Sequence, residues 1–412
     1  MKTTLPDSAV PDSDATGFGA PGATPLDAEL AEELLALDAA GLRRRIRECD
    51  GPAGPHAVVG GRRVLVLASN DYCDLARDER VVAAATAAAR RWGAGSGGAR
   101  LTTGSQPPHT ALERRIAEFK HTEDALTFPA GYMANVGTIA ALCRRGDLVL
   151  SDELNHASII DGCRLSRADV RVYPHGDLDA LGRELAAESG RRRRILAVSD
   201  AVFSMDGDLL DLPRFVELCR AHGAISMIDE AHATGVVGRC GRGLCEHFGC
   251  PHPDVLMGTL SKALGAAGGY VAGSKVLVDF LRNKARAFVF STSTPAPIAA
   301  AATAAIDILE NEPWRAEKAR SNAAFFANAL RERGIPSFTQ SAIVPVVVGD
   351  ETAAVRASEA LLADGIWIPA IRYPTVARGT ARLRASVMST HSVEELAAAA
   401  ESIARAMTAA RG

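Results

Sequence analysis

Short apolar runs alternate with amphipathic stretches through the middle of the chain. Four runs, at residues 195–199, 224–228, 254–258 and 269–273, have the length and composition of buried strands. Between the first two, residues 213–222 place apolar side chains at helical spacing, with proline at the helix entry. This alternation predicts an α/β fold with a mostly parallel central sheet flanked by helices.

The ends of the chain differ from this middle part. Residues 1–25 are rich in small and polar residues and predict a disordered tail. Leucines at helical spacing predict a helix or helix pair over residues 26–49, within an N-terminal helical segment of residues 26–70. Residues 71–294 are then a large domain, and residues 295–412 a smaller C-terminal α/β domain with an Ala-rich first helix, a strand at 343–348 and a closing helix at 393–409.

Composition excludes several classes of protein. The 412 residues carry a formal net charge of -3, so no overall electrostatic attraction to nucleic acid is expected. No apolar run is long enough to span a membrane. The eight cysteines form no C-x-x-C pair and match no zinc spacing, so we expect no metal site. Unpaired cysteines without a signal peptide predict a cytoplasmic protein.

Polar residues follow the predicted strands where those strands end. Ser204 follows the first strand, Asp229 and His232 the second, and Thr259 and Lys262 the third. Ligands of parallel sheets bind at the carboxyl ends of the strands. The sequence therefore predicts one binding site that contains these side chains.

Lys262 is the candidate that gives this site its chemistry. It is followed by five small residues, 265–269, which leave room for a ring beside the amine. A lysine in an apolar pocket has a lowered pKa, so its neutral amine is available as a nucleophile. Pyridoxal 5′-phosphate (PLP) requires a lysine for its Schiff base, an acid at the pyridine nitrogen and anchors for its phosphate. Lys262 and Asp229 meet the first two requirements, so we predict a PLP enzyme.

A phosphate anchor is predicted in residues 130–135. Gly131 precedes a predicted helix, and backbone N–H groups at a helix start bind anions. Thr259 could add a hydroxyl, and Tyr132 or His156 could stack on the ring. The Gly-rich residues 93–98 follow a helix-like run rather than a strand, so we do not interpret them as a nucleotide-binding loop.

Seven segments in a fixed order show a family resemblance from about Leu42 to the C-terminus. They are Ala68-Ser-Asn-Asp-Tyr72, Gly93-Ala-Gly-Ser-Gly-Gly98, Leu154-Asn-His-Ala-Ser-Ile-Ile-Asp-Gly162, Val202-Phe-Ser-Met-Asp-Gly-Asp208, Asp229-Glu-Ala-His232, Gly258-Thr-Leu-Ser-Lys262, and Pro374-Thr375 with Arg382-Leu-Arg384. Together they resemble the α-oxoamine synthases, which are fold-type-I PLP enzymes. The resemblance implies that fold, PLP as cofactor, and a homodimer with shared active sites.

The resemblance also implies a role for each matching residue. Lys262 would carry the cofactor as a Schiff base and move the Cα proton of the amino acid. The other cofactor contacts would be Asp229 at the pyridine nitrogen, His232 and Ser204 at the ring oxygen, His156 over the ring, Gly131, Tyr132 and Thr259 at the phosphate, and Ser291 and Thr292 at the phosphate of the neighbouring subunit. Substrate contacts would be Asn70 and Arg384 at the amino-acid carboxylate, Thr375 nearby, and Arg43 at the acyl chain.

The implied reaction is a decarboxylative condensation of an amino acid with an acyl thioester. Residues 341–345, 370–375 and 379–384 favour the branch that joins L-alanine to a pimeloyl thioester, carried by coenzyme A or acyl carrier protein, in biotin synthesis. Glycine acetyltransferases and serine palmitoyltransferases share the cofactor residues and remain alternatives. An aminotransferase would use the same lysine and acid, and a non-enzymatic binding protein would dispense with them.

Overall fold

The computed structural model describes residues 24–52 and 54–411, in two compact units that divide between Ile46 and Arg47. The tail predicted for residues 1–25 falls almost entirely on residues 1–23, which lie outside the described residues. The first unit contains helix α1, Pro25–Ala39. Thr24 and Asp27 form a capping box at its start, in which the Asp27 N–H donates to Thr24 Oγ1 at 3.1 Å.

Helix α1 is shorter than the leucine spacing predicts. It ends at Ala39, whereas the pattern extends to Cys49. Gly41 takes a positive φ of 65°, and the Leu42 N–H donates back to the Leu37 carbonyl at 2.8 Å. This is a glycine-terminated helix end, and it stops the helix despite the apolar residue beyond it.

The second unit contains thirteen strands and the remaining helices of the described residues. The strands are β1 His56–Val59, β2 Arg62–Val66, β3 Asp124–Phe128, β4 Leu148–Asp152, β5 Asp169–Tyr173, β6 Ile195–Asp200, β7 Ile225–Asp229, β8 Val255–Thr259, β9 Gly269–Gly273, β10 Ile343–Gly349, β11 Ile366–Trp367, β12 Ala370–Ile371 and β13 Ala381–Ser386. The helices are α2 Glu79–Trp92, α3 Pro107–Lys120, α4 Gly131–Leu142, α5 Ala157–Ser166, α6 Leu178–Glu188, α7 Leu212–Ala221, α8 Leu244–Phe248, α9 Lys275–Lys284, α10 Arg286–Val289, α11 Ala296–Asn311, α12 Trp314–Glu332, α13 Glu351–Ala363 and α14 Val393–Arg411.

The main sheet has seven strands in the order β3-β9-β8-β7-β6-β4-β5. Its pairs are parallel except where β9 runs antiparallel to β3 and β8. The four strands predicted from apolar runs are β6, β7, β8 and β9, with bounds within one residue of those predicted. Every residue of β6, β8 and β9 is buried, which explains why the sequence of each forms a continuous apolar run without alternation.

The N-terminal segment of residues 26–70 is not helical throughout. Strands β1 and β2 form a hairpin there, and β2 pairs with β11 in parallel. Gly60 and Gly61 both have positive φ, 56° and 75°, as the tight turn of this hairpin requires. The hairpin therefore joins the C-terminal part of the chain through sheet pairing.

The C-terminal residues form an antiparallel sheet in the order β10-β13-β12, with α12, α13 and α14 packed around it. Helix α11, with which the predicted C-terminal domain begins, packs against α2 and α3 instead. The division into domains at residue 295 therefore stays a prediction. Among the described residues, the helices lack the length and apolar character that membrane crossing requires.

A buried ion pair fixes the chain just beyond β7. Lys120 Nζ lies 2.5 Å from Glu230 Oε2, and both side chains are 1% exposed. Lys120 also donates to Thr234 Oγ1 at 3.0 Å and to the Arg242 carbonyl at 2.7 Å, so all three ammonium protons have acceptors. Because Glu230 follows Asp229 directly, this pair anchors the turn that holds Asp229 and His232.

We expect Lys120→Met to lower the free energy of unfolding by about 3–5 kcal/mol, because it leaves the Glu230 carboxylate buried without its partner. Urea denaturation followed by circular dichroism measures the change. Arg405→Met is the matched control, since Arg405 pairs with Glu401 at 3.0 Å on the surface, and it should cost less than about 1 kcal/mol. Similar losses in the two variants would contradict the role given to the buried pair.

Candidate active site

The three neighbouring strands β6, β7 and β8 end side by side and bring the predicted residues together. Asp200, Asp229 and Thr259 are the last residues of these strands, and all three are buried. The turns that follow carry Ser204, His232 and Lys262. The parallel arrangement of the sheet thus explains why residues as far apart in the sequence as Asp200 and Lys262 meet at one site.

The Lys262 amine lies at this site, 2.8 Å from His232 Nε2. Burial, with the positive charge of Arg384, lowers its pKa to about 8, against the opposing effect of Asp229 and Asp200. At neutral pH, roughly a tenth of such amines are neutral, compared with fewer than one in a thousand for an ordinary lysine. Lys262 therefore has the chemistry of a nucleophile and base.

Other lysines of the described residues differ from Lys262. Lys120 is buried, which would lower its pKa, but Glu230 and Tyr270 raise that pKa above the ordinary value and keep the side chain charged. Lys275, Lys284 and Lys318 are exposed. Within the described chain, Lys262 is thus the lysine that combines removal from water with a lowered pKa.

Asp229 is held in place by two hydrogen bonds. Its Oδ2 accepts from Asn135 Nδ2 at 2.7 Å, and its Oδ1 accepts from the Ala231 N–H at 2.8 Å. Asn135 comes from α4, and its own Oδ1 is buried without a hydrogen-bond partner among the described residues. Burial and the nearby Asp229 raise the pKa of Asp200, which accepts a hydrogen bond from the His156 N–H at 2.8 Å.

Tyr72 connects His232 to a second cluster of polar side chains. Its hydroxyl lies 2.8 Å from His232 Nδ1, and Arg384 donates to the same hydroxyl at 3.3 Å. Arg384 also donates to Asn70 Oδ1 at 3.2 Å and to the Ser204 carbonyl at 2.5 Å. The structure thus places Asn70 and Arg384 together, as a carboxylate-binding pair requires. Tyr72 belongs to a motif that carried the family resemblance, but sequence reasoning gave it no role.

The start of α4 forms a close-packed cradle beside Thr259. A Cβ added at Gly131 would lie 3.3 Å from Thr259 Oγ1, and one added at Gly269 would lie 2.6 Å from the Gly131 Cα. Glycines at both positions therefore let the start of α4 approach the end of β8 and the beginning of β9. The Tyr132 hydroxyl donates to Asp161, while His156 caps α5 and exposes its ring.

The other four predicted residues lie in segments between the helices and strands. Thr292 forms an isolated β-bridge with Ala99, and Ser291 directly precedes it. Neither side chain has a hydrogen bond to the Lys262–His232–Tyr72 cluster within the described residues. Thr375 is exposed in the turn after the cis Tyr373–Pro374 bond. Arg43 lies in the first unit and pairs with Asp38 at 2.5 Å. The roles of these four residues stay predictions.

His175 is a further residue that sequence reasoning did not single out. Its Nδ1 lies 3.0 Å from Asp152 Oδ1 and its Nε2 lies 3.0 Å from Asp208 Oδ2. These two carboxylates raise the pKa of His175 to about 10, so the side chain is a cation near neutral pH. Since Asp208 ends the loop that carries Ser204, His175 clamps that loop to the sheet. Its partners are 23 and 33 residues away, which hides the clamp from local sequence patterns.

Comparison with known proteins shows the family to which this chain belongs. The family model for aminotransferase class I and II matches residues 62–403. The chain is 46% identical over 381 residues to a putative 8-amino-7-oxononanoate synthase of Desulfovibrio desulfuricans, covering 92% of this chain and 99% of that one. It is 47% identical over 380 residues to the 8-amino-7-oxononanoate synthase of Geobacter sulfurreducens, covering 91% and 97%.

The chain belongs to the class I and II aminotransferase family. Within this family it is an α-oxoamine synthase, as the ordered motifs predict. A serine palmitoyltransferase of S. paucimobilis, solved with PLP and myriocin bound, superposes with a TM-score of 0.88 at 30% identity, covering 93% of this chain and 98% of that one. An 8-amino-7-oxononanoate synthase of Francisella tularensis superposes with a TM-score of 0.71 at 25% identity, covering 83% and 97%. The predicted fold-type-I architecture is confirmed.

PLP is the cofactor of this α-oxoamine synthase, and the residues of the pocket fit it. Lys262 supplies an amine with a lowered pKa, and Asp229 supplies a buried acid fixed from behind by Asn135. The start of α4 at Gly131 has no side-chain cap among the described residues, so its backbone N–H groups can serve as anion donors beside Thr259. A lysine, an acid and a phosphate anchor are the three groups that PLP requires.

We expect His175→Asn to remove a pH-dependent part of the stability. The pKa of His175 is about 10 in the folded chain and near 6.5 when unfolded, so its contribution is complete below pH 6.5 and is lost as the pH rises towards 10. The difference in melting temperature between wild type and His175→Asn should therefore shrink from pH 6 to pH 10. His222→Asn, at the half-buried residue that follows α7, is the control. A difference independent of pH would contradict the charged clamp.

Proposed function

We propose that this α-oxoamine synthase condenses L-alanine with a pimeloyl thioester to give 8-amino-7-oxononanoate, carbon dioxide and the free thiol, a step of biotin synthesis. The observation that carries the proposal is the Lys262 amine, with its lowered pKa, connected through His232 and Tyr72 to the Asn70–Arg384 pair. The 8-amino-7-oxononanoate synthases at 46–47% identity over about nine-tenths of the chain support this choice of substrates.

When bound, PLP supplies an electron sink that stabilises negative charge at the amino-acid Cα. The residues of this chain would provide the rest. Lys262 would hold the cofactor and move the Cα proton, and the buried carboxylate of Asp229 would keep the pyridine nitrogen protonated. Arg384 and Asn70 would bind the amino-acid carboxylate, which leaves the Cα proton facing Lys262.

The remaining cofactor and substrate contacts complete the proposal. His156, His232 and Ser204 would contact the ring, and the start of α4 with Thr259 would bind the phosphate. Ser291 and Thr292 would act across a homodimer. Helix α1 favours the proposal of a partner subunit, because none of its residues is buried and an exposed apolar surface is typical of an interface. Its exposed leucines are Leu26, Leu30, Leu34, Leu35 and Leu37. The enzyme would act in the cytoplasm, with acyl carrier protein or coenzyme A as the carrier of the pimeloyl thioester.

Serine palmitoyltransferase activity is the second candidate, because that enzyme shares the fold at a TM-score of 0.88. A matrix of L-alanine, glycine and L-serine against acetyl, pimeloyl and palmitoyl thioesters, read by product mass, separates these activities. We expect the highest kcat/KM for L-alanine with the pimeloyl thioester. Preference for serine with the palmitoyl thioester, or a keto acid formed without thioester consumption, would overturn the proposal.

We expect Lys262→Ala to abolish the visible absorbance at about 420 nm that the lysine-bound cofactor produces. Condensation activity should be lost as well, because the variant lacks the base. Lys284→Ala removes an exposed lysine of α9 and should keep both the absorbance and the activity. An unchanged spectrum in Lys262→Ala would contradict the assignment of the cofactor lysine.

We expect Asp229→Asn to lower kcat by about a hundredfold or more while the protein stays folded, because the amide has no charge to keep the pyridine nitrogen protonated. Steady-state kinetics and thermal melting measure the two effects. Asp254→Asn, at the opposite end of the sheet where Asp254 accepts from Ser226, should change kcat less than about threefold. An Asp229→Asn enzyme with near wild-type kcat would contradict the role of this acid.

A further inference from the structure

Tyr72 contacts both the amine side and the carboxylate side of the pocket. Its buried hydroxyl lies 2.8 Å from His232 Nδ1 and 3.1 Å from Asn70 Oδ1, and it accepts from Arg384 at 3.3 Å. On the far side of the imidazole, His232 Nε2 lies 2.8 Å from Lys262 Nζ. Hydrogen bonds thus run without a break from the guanidinium of Arg384 to the amine of Lys262.

The protons along this path allow two arrangements of hydrogen-bond donors and acceptors. Burial, with the positive charges of Lys262 and Arg384, holds the pKa of His232 well below its usual value, so the ring is neutral and has one N–H. In the first arrangement, Tyr72 donates to Asn70 and His232 Nδ1–H donates to Tyr72, so Nε2 accepts a hydrogen bond from Lys262. In the second, Tyr72 donates to Nδ1, and Nε2–H donates to the lone pair of a neutral Lys262 amine.

Arg384 has little spare capacity for a ligand. Of its five N–H groups, four have acceptors: the Ser204 carbonyl, Asn70 Oδ1, Ser386 Oγ and the Tyr72 hydroxyl. A carboxylate that binds through two of these N–H groups must therefore displace one partner. At 3.3 Å the hydrogen bond to Tyr72 is the longest of the four, so it is the one that the carboxylate displaces.

We propose that Tyr72 is a positioning residue that transmits binding of the substrate carboxylate at Arg384 to the amine of Lys262. The proposal deepens the proposed function and rests on it, since it takes Asn70 and Arg384 as the carboxylate site. Once Arg384 turns to the carboxylate, Tyr72 loses a cationic donor and becomes a better acceptor. That favours the first arrangement, in which His232 accepts from Lys262 and the amine binds its proton more tightly.

The charges around Lys262 also act through space. Asp229 and Asp200, at the ends of β7 and β6, raise its pKa, and Arg384, on β13, lowers it. His232 and His156 complete the titratable groups that face the amine. A bound carboxylate would offset the charge of Arg384 even without Tyr72. A test must therefore separate the hydrogen-bonded path from this direct effect.

Tyr72→Phe separates the hydrogen-bonded path from the direct electrostatic effect of Arg384, because it keeps the buried ring and removes only the hydroxyl. The full-length chain without cofactor is mixed with PLP between about pH 6 and 10, and the rate at which the visible absorbance appears follows the neutral fraction of Lys262. The series is run with and without saturating propionate, which has the carboxylate of an amino acid but no amine. Tyr270→Phe is the matched control, since its buried hydroxyl bonds Thr234 at 2.8 Å, away from this path.

In the wild type and in Tyr270→Phe, we expect propionate to raise the apparent pKa of Lys262 by about one unit. In Tyr72→Phe the increase should be less than half as large. A full increase in Tyr72→Phe would overturn the proposal, as would no increase in the wild type. A purely structural tyrosine would lower the melting temperature and leave the increase intact.

Two further measurements keep the outcome clear. If Tyr72→Phe does not fold, His232→Asn replaces it, because an amide can reach the position of Nδ1 but not that of Nε2 and so breaks the same path. The wild type is also assayed for 8-amino-7-oxononanoate. If 8-amino-7-oxononanoate is formed but propionate does not change the apparent pKa of Lys262, the role of Tyr72 is wrong and the proposed function stands. If propionate changes this pKa but no 8-amino-7-oxononanoate is formed, the proposed function is wrong and the role of Tyr72 stands.

Discussion

Withdrawal of the Lys262 amine from water is the constraint on which the site depends. Burial opposes the charge on the amine, whereas Asp229 and Asp200 favour it, and the balance leaves the pKa at about 8. Lys120 shows the contrasting case in the same fold: a fully buried lysine that meets Glu230 keeps its proton. The difference between a structural lysine and a reactive one is therefore whether a carboxylate lies in direct contact with the amine.

The sheet explains how this balance is built. Parallel strands bring the ends of β6, β7 and β8 together, so two carboxylates approach the amine without forming an ion pair with it. The residues behind them hold each group still: Asn135 fixes Asp229, the Lys120–Glu230 pair fixes the turn before His232, and His175 clamps the loop that reaches Arg384. These supporting contacts come from distant parts of the chain, and they set the geometry that the cofactor requires.

The sequence predicts four of the seven strands of the main sheet, because buried strands leave continuous apolar runs, and it predicts the strand-end residues, because parallel strands end at one edge of the sheet. The sequence does not predict contacts between residues far apart in the chain, or turns that depend on the backbone conformation. Asn135 is 94 residues from Asp229, and Tyr72 is 160 residues from His232, so neither partnership leaves a local pattern. Gly41 ends α1 early, and Gly60 and Gly61 turn a segment expected to be helical into a hairpin. Both differences arise from positive φ angles that apolar spacing does not reveal.

Reduction of the PLP-loaded enzyme with borohydride, followed by peptide mass mapping, tests the central claim most directly, because it marks the lysine whose neutral amine has reacted. The chain has six lysines, and only the peptide that contains Lys262 should gain the added mass. The peptide that contains Lys120 should stay unmodified, since Glu230 keeps that amine charged and buried. Label on another lysine, with Lys262 unmodified, would contradict the account.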